Sequence, residues 1–301
     1  MSKKLKTYVR IILDKSGSMC SIANQAVLNF NEQVQQMKMN SDTQEIYCSL
    51  ITFNGEVFEH LWDAPAKDLE EAAEGTYVTG GGTAFYDALG YTINKTKQVA
   101  SENINPDVDN AYLFYIISDG EENSSTKYTQ QSISKLIDSC NEEGNWTFTY
   151  MGCSKQYVEK VAKDINIPLA NCAVWSNSNN YEAAHTLTAA SSKLGGYYTS
   201  RSKGTRSMAD FHSDTNNLTD YSEGIAGIAA TSVTADVLSQ NNVVSSLGVQ
   251  DLAALNQSFS VDNARSRSNK RCVSSTCCSK STKSMSSNKD GVFTKSTRAT
   301  L

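Results

Sequence analysis

The stretch Ala111-Tyr112-Leu113-Phe114-Tyr115-Ile116-Ile117, which runs out through Ser118-Asp119-Gly120-Glu121-Glu122-Asn123, decides the fold. A strand with one face in water alternates apolar and polar residues, whereas this run is apolar almost throughout. It reads as a central strand covered on both faces, the kind found in parallel sheets flanked by helices. Working outward, Tyr8–Leu13, Ile46–Phe53, Trp146–Met151 and Asn171–Trp175 are short runs rich in β-branched and aromatic residues, bounded by polar or glycine positions, and read as further strands. Between them, apolar residues recur at helical spacing: Val27, Phe30, Val34 and Met37; Phe85, Leu89 and Ile93; Ile133, Leu136, Ile137 and Cys140; Val158, Val161, Ala162 and Ile165; Tyr181, Ala184, Leu187 and Leu194. Strands that alternate with helices require parallel pairing through right-handed crossovers. The one exception is Ile46–Phe53 with Glu56–Leu61, joined by Asn54-Gly55, a dipeptide that suits both left-handed positions of a type I′ turn and predicts a hairpin. The expected fold is therefore a doubly wound α/β domain with a mostly parallel sheet, over residues 5–203.

The remainder reads differently. Residues 204–260 carry small and apolar residues with weak periodicity, which predicts a weakly helical extension. Residues 261–301 hold 10 Ser and 5 Thr among 41 positions and almost no large apolar residue, so they read as a basic, disordered, low-complexity tail. The chain has 301 residues and a formal charge of −5; the tail has 9 Lys+Arg against 2 Asp+Glu, which leaves −12 on residues 1–260. No apolar run is long enough to span a membrane. The apolar run behind Lys3-Lys4 ends at Asp14, too soon for a signal-peptide core, so a cytoplasmic setting is expected, and a viral particle fits the same features. The 8 cysteines are too sparse for a disulfide scaffold and show no paired C-x-x-C spacing, which fits buried thiols in a reducing compartment.

Three motifs carry the chemistry. The first strand ends in Asp14-Lys15-Ser16-Gly17-Ser18, one carboxylate and two hydroxyls on a turn into a helix. Gly80-Gly81-Gly82-Thr83 precedes the helix at Phe85, and glycines there let a backbone approach closely. Asp119 lies just past the central strand. Capping of helix N-termini is the plainer use of Ser16, Ser18 and Thr83. In an open α/β sheet, however, ligands collect at the carboxyl ends of strands where the strand order reverses, and Asp14 and Asp119 meet there if their strands are neighbours. Two carboxylates and three hydroxyls, with no Cys or His, form a hard oxygen shell suited to Mg²⁺, Mn²⁺ or Ca²⁺ rather than Zn²⁺.

The segments D-x-S-G-S at Asp14–Ser18, G-G-T-A-F-Y-D-A at Gly81–Ala88 and I-S-D-G-E-E-N at Ile117–Asn123 resemble, in order and spacing, the von Willebrand factor type A (VWA) domain family over roughly residues 5–200. The resemblance implies a Rossmann-like sheet of order 3-2-1-4-5-6 with one antiparallel edge strand. It also implies a complete metal-ion-dependent adhesion site (MIDAS) made of Asp14, Ser16, Ser18, Thr83 and Asp119, at which a partner protein's Asp or Glu completes the metal shell. It points to partners such as an AAA+ ATPase or a larger assembly. Other functions fit less well. A metal-dependent hydrolase or phosphoryl-transfer enzyme lacks here a D-x-D nucleophile motif, a phosphate-binding G-x-x-x-x-G-K-[ST] loop and a base placed beside a nucleophile. An assembly or nucleic-acid role would rest on the basic tail, which has no interleaved aromatics; nucleic acid is not the expected partner. Glu121 and Glu122 read as a solvated rim, Asp87 as a surface or capping group, Cys20 as a packed helix residue and Cys272, Cys277 and Cys278 as the exposed thiols; His60, His185 and His212 receive no role.

Overall fold

In a computed structural model of the chain, residues 3–222 are described apart from 74, 103, 177–179 and 214–216. Among the described residues the strands β1 (Lys4–Asp14), β2 (Glu45–Phe53), β3 (Val57–Pro65), β4 (Val108–Ile117), β5 (Trp146–Gly152), β6 (Cys172–Val174) and β7 (Thr219–Asp220) form one sheet in the order β3-β2-β1-β4-β5-β6-β7. All neighbours are parallel except β2 and β3. The helices are α1 (Ala23–Asn40), α2 (Phe85–Glu102), α3 (Gln130–Glu143), α4 (Lys155–Asp164) and α5 (Asn180–Ser202). The doubly wound, mostly parallel α/β fold is the one the apolar runs predict, and its antiparallel edge strand is the one the family resemblance implies.

Alternation along the central strands builds two cores, because successive side chains on a strand point to opposite faces. Val9, Ile11 and Leu13 of β1, with Leu113, Tyr115 and Ile117 of β4, pack with Phe30 and Val34 of α1 and Leu187 and Leu194 of α5. Tyr8 and Ile12, with Tyr112, Phe114 and Ile116, pack with Phe85 and Leu89 of α2, Ile133 of α3 and Val158 of α4. Burying both faces explains why these strands have so few polar residues. No helix among the described residues is long and apolar enough to cross a membrane.

Two details differ from the sequence reading. The β2–β3 hairpin forms, but neither Asn54 nor Gly55 takes the left-handed conformation of a type I′ turn. Asn54 Oδ1 instead accepts from Glu56 N at 3.0 Å, while its Nδ2 donates to Gly80 O at 2.8 Å. A tertiary bond has set the turn. The fold also continues past residue 203: Phe211 and His212 are buried, and β7 adds to the sheet beside β6. The described part of the expected weakly helical stretch thus contains a short strand, held by the β6 backbone rather than by periodicity of its own. Most of 204–260, and all of the expected tail at 261–301, lie outside the described residues.

Candidate metal centre

The chain leaves β1 for β2 on one side and later returns to place β4 on the other, so the strand order reverses between β1 and β4. In this register Leu13 lies opposite Ile117, which brings Asp14 level with the exit Ser118-Asp119. Asp14 is completely buried. Its Oδ1 accepts from the Ser16 backbone N–H at 2.7 Å, a local turn bond, and its Oδ2 accepts from Ser118 Oγ at 2.6 Å. The Asp14 carbonyl accepts from the hydroxyl of buried Tyr77. Ser16 Oγ lies 3.0 Å from Ser18 Oγ, and Ser18 Oγ donates to Asp119 Oδ1 at 2.6 Å.

Thr83 reaches the same place from a different loop. Gly81 has φ +84°, a conformation that favours glycine, and the chain there is held by Gly17 N donating to Gly81 O at 3.2 Å and Gly80 N to Lys15 O at 2.9 Å. A Cβ on Gly82 would fall 2.1 Å from Ser124 Oγ and 2.8 Å from Asn123 Oδ1, so any larger residue must displace the side chains of the loop after β4. The two loops are then tied, with Thr83 N donating to Asn123 Oδ1 at 2.9 Å, and Asn123 N and Ser124 N donating to Thr83 O at 3.0 and 3.1 Å.

Gly120 marks where these segments converge. A Cβ built on it would lie 3.1 Å from Thr83 Oγ1, 3.4 Å from Ser18 Oγ and 3.6 Å from Asp14 Oδ2. The structure therefore brings Asp14, Ser16, Ser18, Thr83 and Asp119 together, with oxygens from three chain segments around one small space. Burial pushes the Asp14 carboxyl up to about 6, against the opposing pull of the Ser118 and Ser16 donors and with a further push from the Asp119 charge. Burial also raises Asp119, opposed by the Ser18 hydroxyl. Neutral hydroxyl and backbone N–H donors leave both carboxylates short of positive charge. Among the described residues no three His, Cys, Asp or Glu side chains cluster in the manner of a metal site. The oxygen set at Asp14 contains two carboxylates and is completed by hydroxyls, a donor set that fits a small hard cation.

Several neighbours take roles other than those expected. Capping of α2 falls to Glu122, whose Oε2 accepts from Tyr86 N at 3.0 Å, and to Ser125, whose Oγ accepts from Asp87 N at 3.0 Å. Glu122 also accepts from Ser124 N and Ser125 N, so it is a structural cap and not a solvated rim; Glu121 is exposed. Asp87 is buried and accepts from the backbone N–H groups of Thr126, Lys127 and Tyr128. Burial pushes its carboxyl up, but these donors outweigh it and hold the group below its ordinary value. Cys20 is exposed on the 3-10 segment at Gly17–Ile22, because the buried positions of that segment are taken by Met19 and Ile22. The expected exposed thiols at 272, 277 and 278 lie outside the described residues. His60 bonds Thr52 Oγ1 at 2.7 Å and buried His212 bonds Tyr221 Oη at 3.1 Å, so both have partners that their sequence positions do not reveal. Sequence reasoning assigned no role to Ser118, although it lies inside a quoted motif, and it missed Tyr77, whose partner is remote in the chain and leaves no local signal.

No family model and no curated protein sequence matches the chain. Solved structures do resemble it. Proximal thread matrix protein 1 (PTMP1) from the mussel byssus has a TM-score of 0.40 at 15% identity, over 62% of this chain and 47% of that one. The ArnB paralog VWA2 from Sulfolobus acidocaldarius reaches 0.41 at 16% identity, over 63% of this chain and 45% of that one. A mutant PilB minor pilin from Streptococcus sanguinis reaches 0.42 at 11% identity, over 66% and 64%. The chain thus spans about half the length of the first two. The fold and the candidate site rest on the strand pairing and the contacts described above.

Proposed function

We propose that this chain is a divalent-cation-dependent protein-binding module, with Asp14, Ser16, Ser18, Thr83 and Asp119 holding Mg²⁺, or Mn²⁺ or Ca²⁺ in its place. The observation that supports this reading is the convergence of Thr83 Oγ1, Ser18 Oγ and Asp14 Oδ2 on the space beside Gly120, with Asp119 tied to Ser18. Two carboxylates match the charge of one divalent ion, and the uncharged hydroxyls leave its attraction for further anions largely intact. A bound cation would supply a Lewis acid to which a partner's Asp or Glu carboxylate attaches.

The chain's own residues prepare that contact. Ser118 and the Ser16 N–H orient Asp14 from inside the protein, and Tyr77 pins its backbone. Ser18 is exposed, so the cluster opens to solvent on the side where a partner would approach. A charge-assisted contact in such a position can dominate a modest interface.

Affinity capture of partners by the full chain, with Mg²⁺ and with EDTA, tests the reading. Chelation is expected to release the principal partner and Mg²⁺ to restore it, while Asp14→Ala loses both Mg²⁺ binding by calorimetry and partner capture. Thr83→Ala is expected to weaken capture more than folding, because Glu122 and Ser125, not Thr83, cap α2. A principal partner that stays bound in EDTA and tolerates Thr83→Ala would move recognition away from this site.

A further inference from the structure

The chain contains one Asn-Gly dipeptide, Asn54-Gly55, at the turn between β2 and β3. An asparagine loses its side-chain amide nitrogen as ammonia when the following backbone nitrogen attacks its Cγ. That attack needs a free nitrogen and an unhindered following residue. Both conditions hold here. Gly55 is exposed, no atom lies within 4 Å of where a Cβ would sit, and its N–H donates no hydrogen bond among the described residues. The two Asn-Ser pairs among the described residues contrast with it. Ser41 N is committed to Lys38 O at 3.1 Å, and Ser124 N to Thr83 O at 3.1 Å and Glu122 Oε1 at 2.9 Å.

Asn54 also fastens the loop that carries Thr83. Its Nδ2 donates to Gly80 O at 2.8 Å, its backbone carbonyl accepts from Ala84 N at 2.6 Å, and a Cβ on Gly81 would rest 3.3 Å from its Nδ2. Thr83 is therefore bracketed on both sides by bonds to one residue of the hairpin turn.

We propose that Asn54 is a self-deamidation site whose conversion unclasps the Thr83 loop. In the first step the Gly55 nitrogen forms a bond to Asn54 Cγ while the Cγ–Nδ2 bond breaks. The Gly55 amide proton leaves with the side-chain nitrogen as ammonia, which yields a cyclic imide. Water then adds to one imide carbonyl and opens the ring to aspartate or isoaspartate at position 54. No oxidant or reductant takes part. The aspartate product places a carboxylate oxygen against Gly80 O, where a donor stood, so attraction becomes repulsion. The isoaspartate product inserts a methylene into the main chain and displaces the carbonyl that holds Ala84 N. Either product loosens the loop that presents Thr83. Only the effect on cation binding rests on the function proposed above.

The test is incubation of the full chain in mildly alkaline buffer, followed by peptide mapping and isoaspartyl methyltransferase labelling. Conversion is expected at residue 54 before Asn40 or Asn123. It should be lost in Gly55→Ala, which the open space and the absence of a left-handed φ allow to fold. In the converted chain and in Asn54→Asp, the Ala84 amide should lose hydrogen-exchange protection, and Mg²⁺ should bind about tenfold more weakly, the effect of one lost hydrogen bond. Conversion at residue 54 no faster than at Asn40, or undiminished in Gly55→Ala, would overturn the modification site. Unchanged protection at Ala84 would overturn the clasp. If unconverted chain binds no Mg²⁺, the metal reading falls while exchange at Ala84 still decides the clasp.

Discussion

Replacing Gly120 with alanine adds one methyl group and alters none of the candidate ligands. Its carbon would sit 3.1 Å from Thr83 Oγ1, 3.4 Å from Ser18 Oγ and 3.6 Å from Asp14 Oδ2. A Mg²⁺ ion draws oxygens in to about 2.0–2.1 Å in near-octahedral geometry, so the methyl and an ion compete for one space. The cost to the metal-free fold is small. Gly120 is outside the left-handed region, so alanine brings no backbone strain and gains about 0.4–1 kcal/mol by restricting the unfolded chain. Against this, the one tight contact, to a hydroxyl oxygen, costs toward the low end of the roughly 1–3 kcal/mol range for overpacking, so the net change is within about 1 kcal/mol. The parent protein, by contrast, gains about 2.7 kcal/mol when Mg²⁺ stands a hundredfold above its Kd. Thermal unfolding in EDTA and in Mg²⁺, together with calorimetric titration, separates the two effects. Gly120→Ala should melt close to the parent in EDTA and show no Mg²⁺ shift. Binding of Mg²⁺ by Gly120→Ala with the parent's affinity would refute the reasoning, because the ion would then lie away from the space these oxygens enclose.

Three further outcomes follow from the same geometry. Asp14 has its folded pKa raised to about 6 from an ordinary 3.8, so its contribution to stability is present at about pH 4 and is lost as pH rises through 6, by about 3 kcal/mol in all. Denaturant unfolding in EDTA across that range should show this slope, and Asp14→Asn should remove it. Buried His212 behaves in the opposite sense: burial lowers its pKa to about 3, so stability is lost as pH falls below about 6.5 and the unfolded chain takes a proton that the folded chain refuses. His212→Asn should flatten that acid limb in the same unfolding series. Gly82→Ala must displace Ser124 or Asn123 and with them Thr83; it should cost about 1–3 kcal/mol in chemical denaturation and weaken Mg²⁺ binding in calorimetry.

Most strands and helices of this protein can be read from the chain because each rests on local spacing. The apolar run at Ala111–Ile117 needs two covering faces, and steps of three or four at Val27–Met37 or Val158–Ile165 need only one. The candidate ligands are legible for a related reason. Asp14, Ser16, Ser18, Thr83 and Asp119 stand in short segments at the ends of strands or the starts of helices, where polar groups in a run of apolar ones stand out. What the chain does not reveal is who bonds to whom across long separations. Ser118 has no role in the sequence reading until β4 pairs with β1 and its hydroxyl reaches Asp14. Glu122 reads as a surface acid until two loops meet and it caps α2. The Asn54-Gly55 pair favours a type I′ turn by its own torsional preference, but a bond to Gly80 gives it another shape. β7 is two residues held by the backbone of β6, with no periodicity of its own. In each case the partner lies far along the chain, and its contact becomes available only after the sheet has brought the two backbones together. A preference worth about 1 kcal/mol in one segment then yields to hydrogen bonds and burial supplied by another.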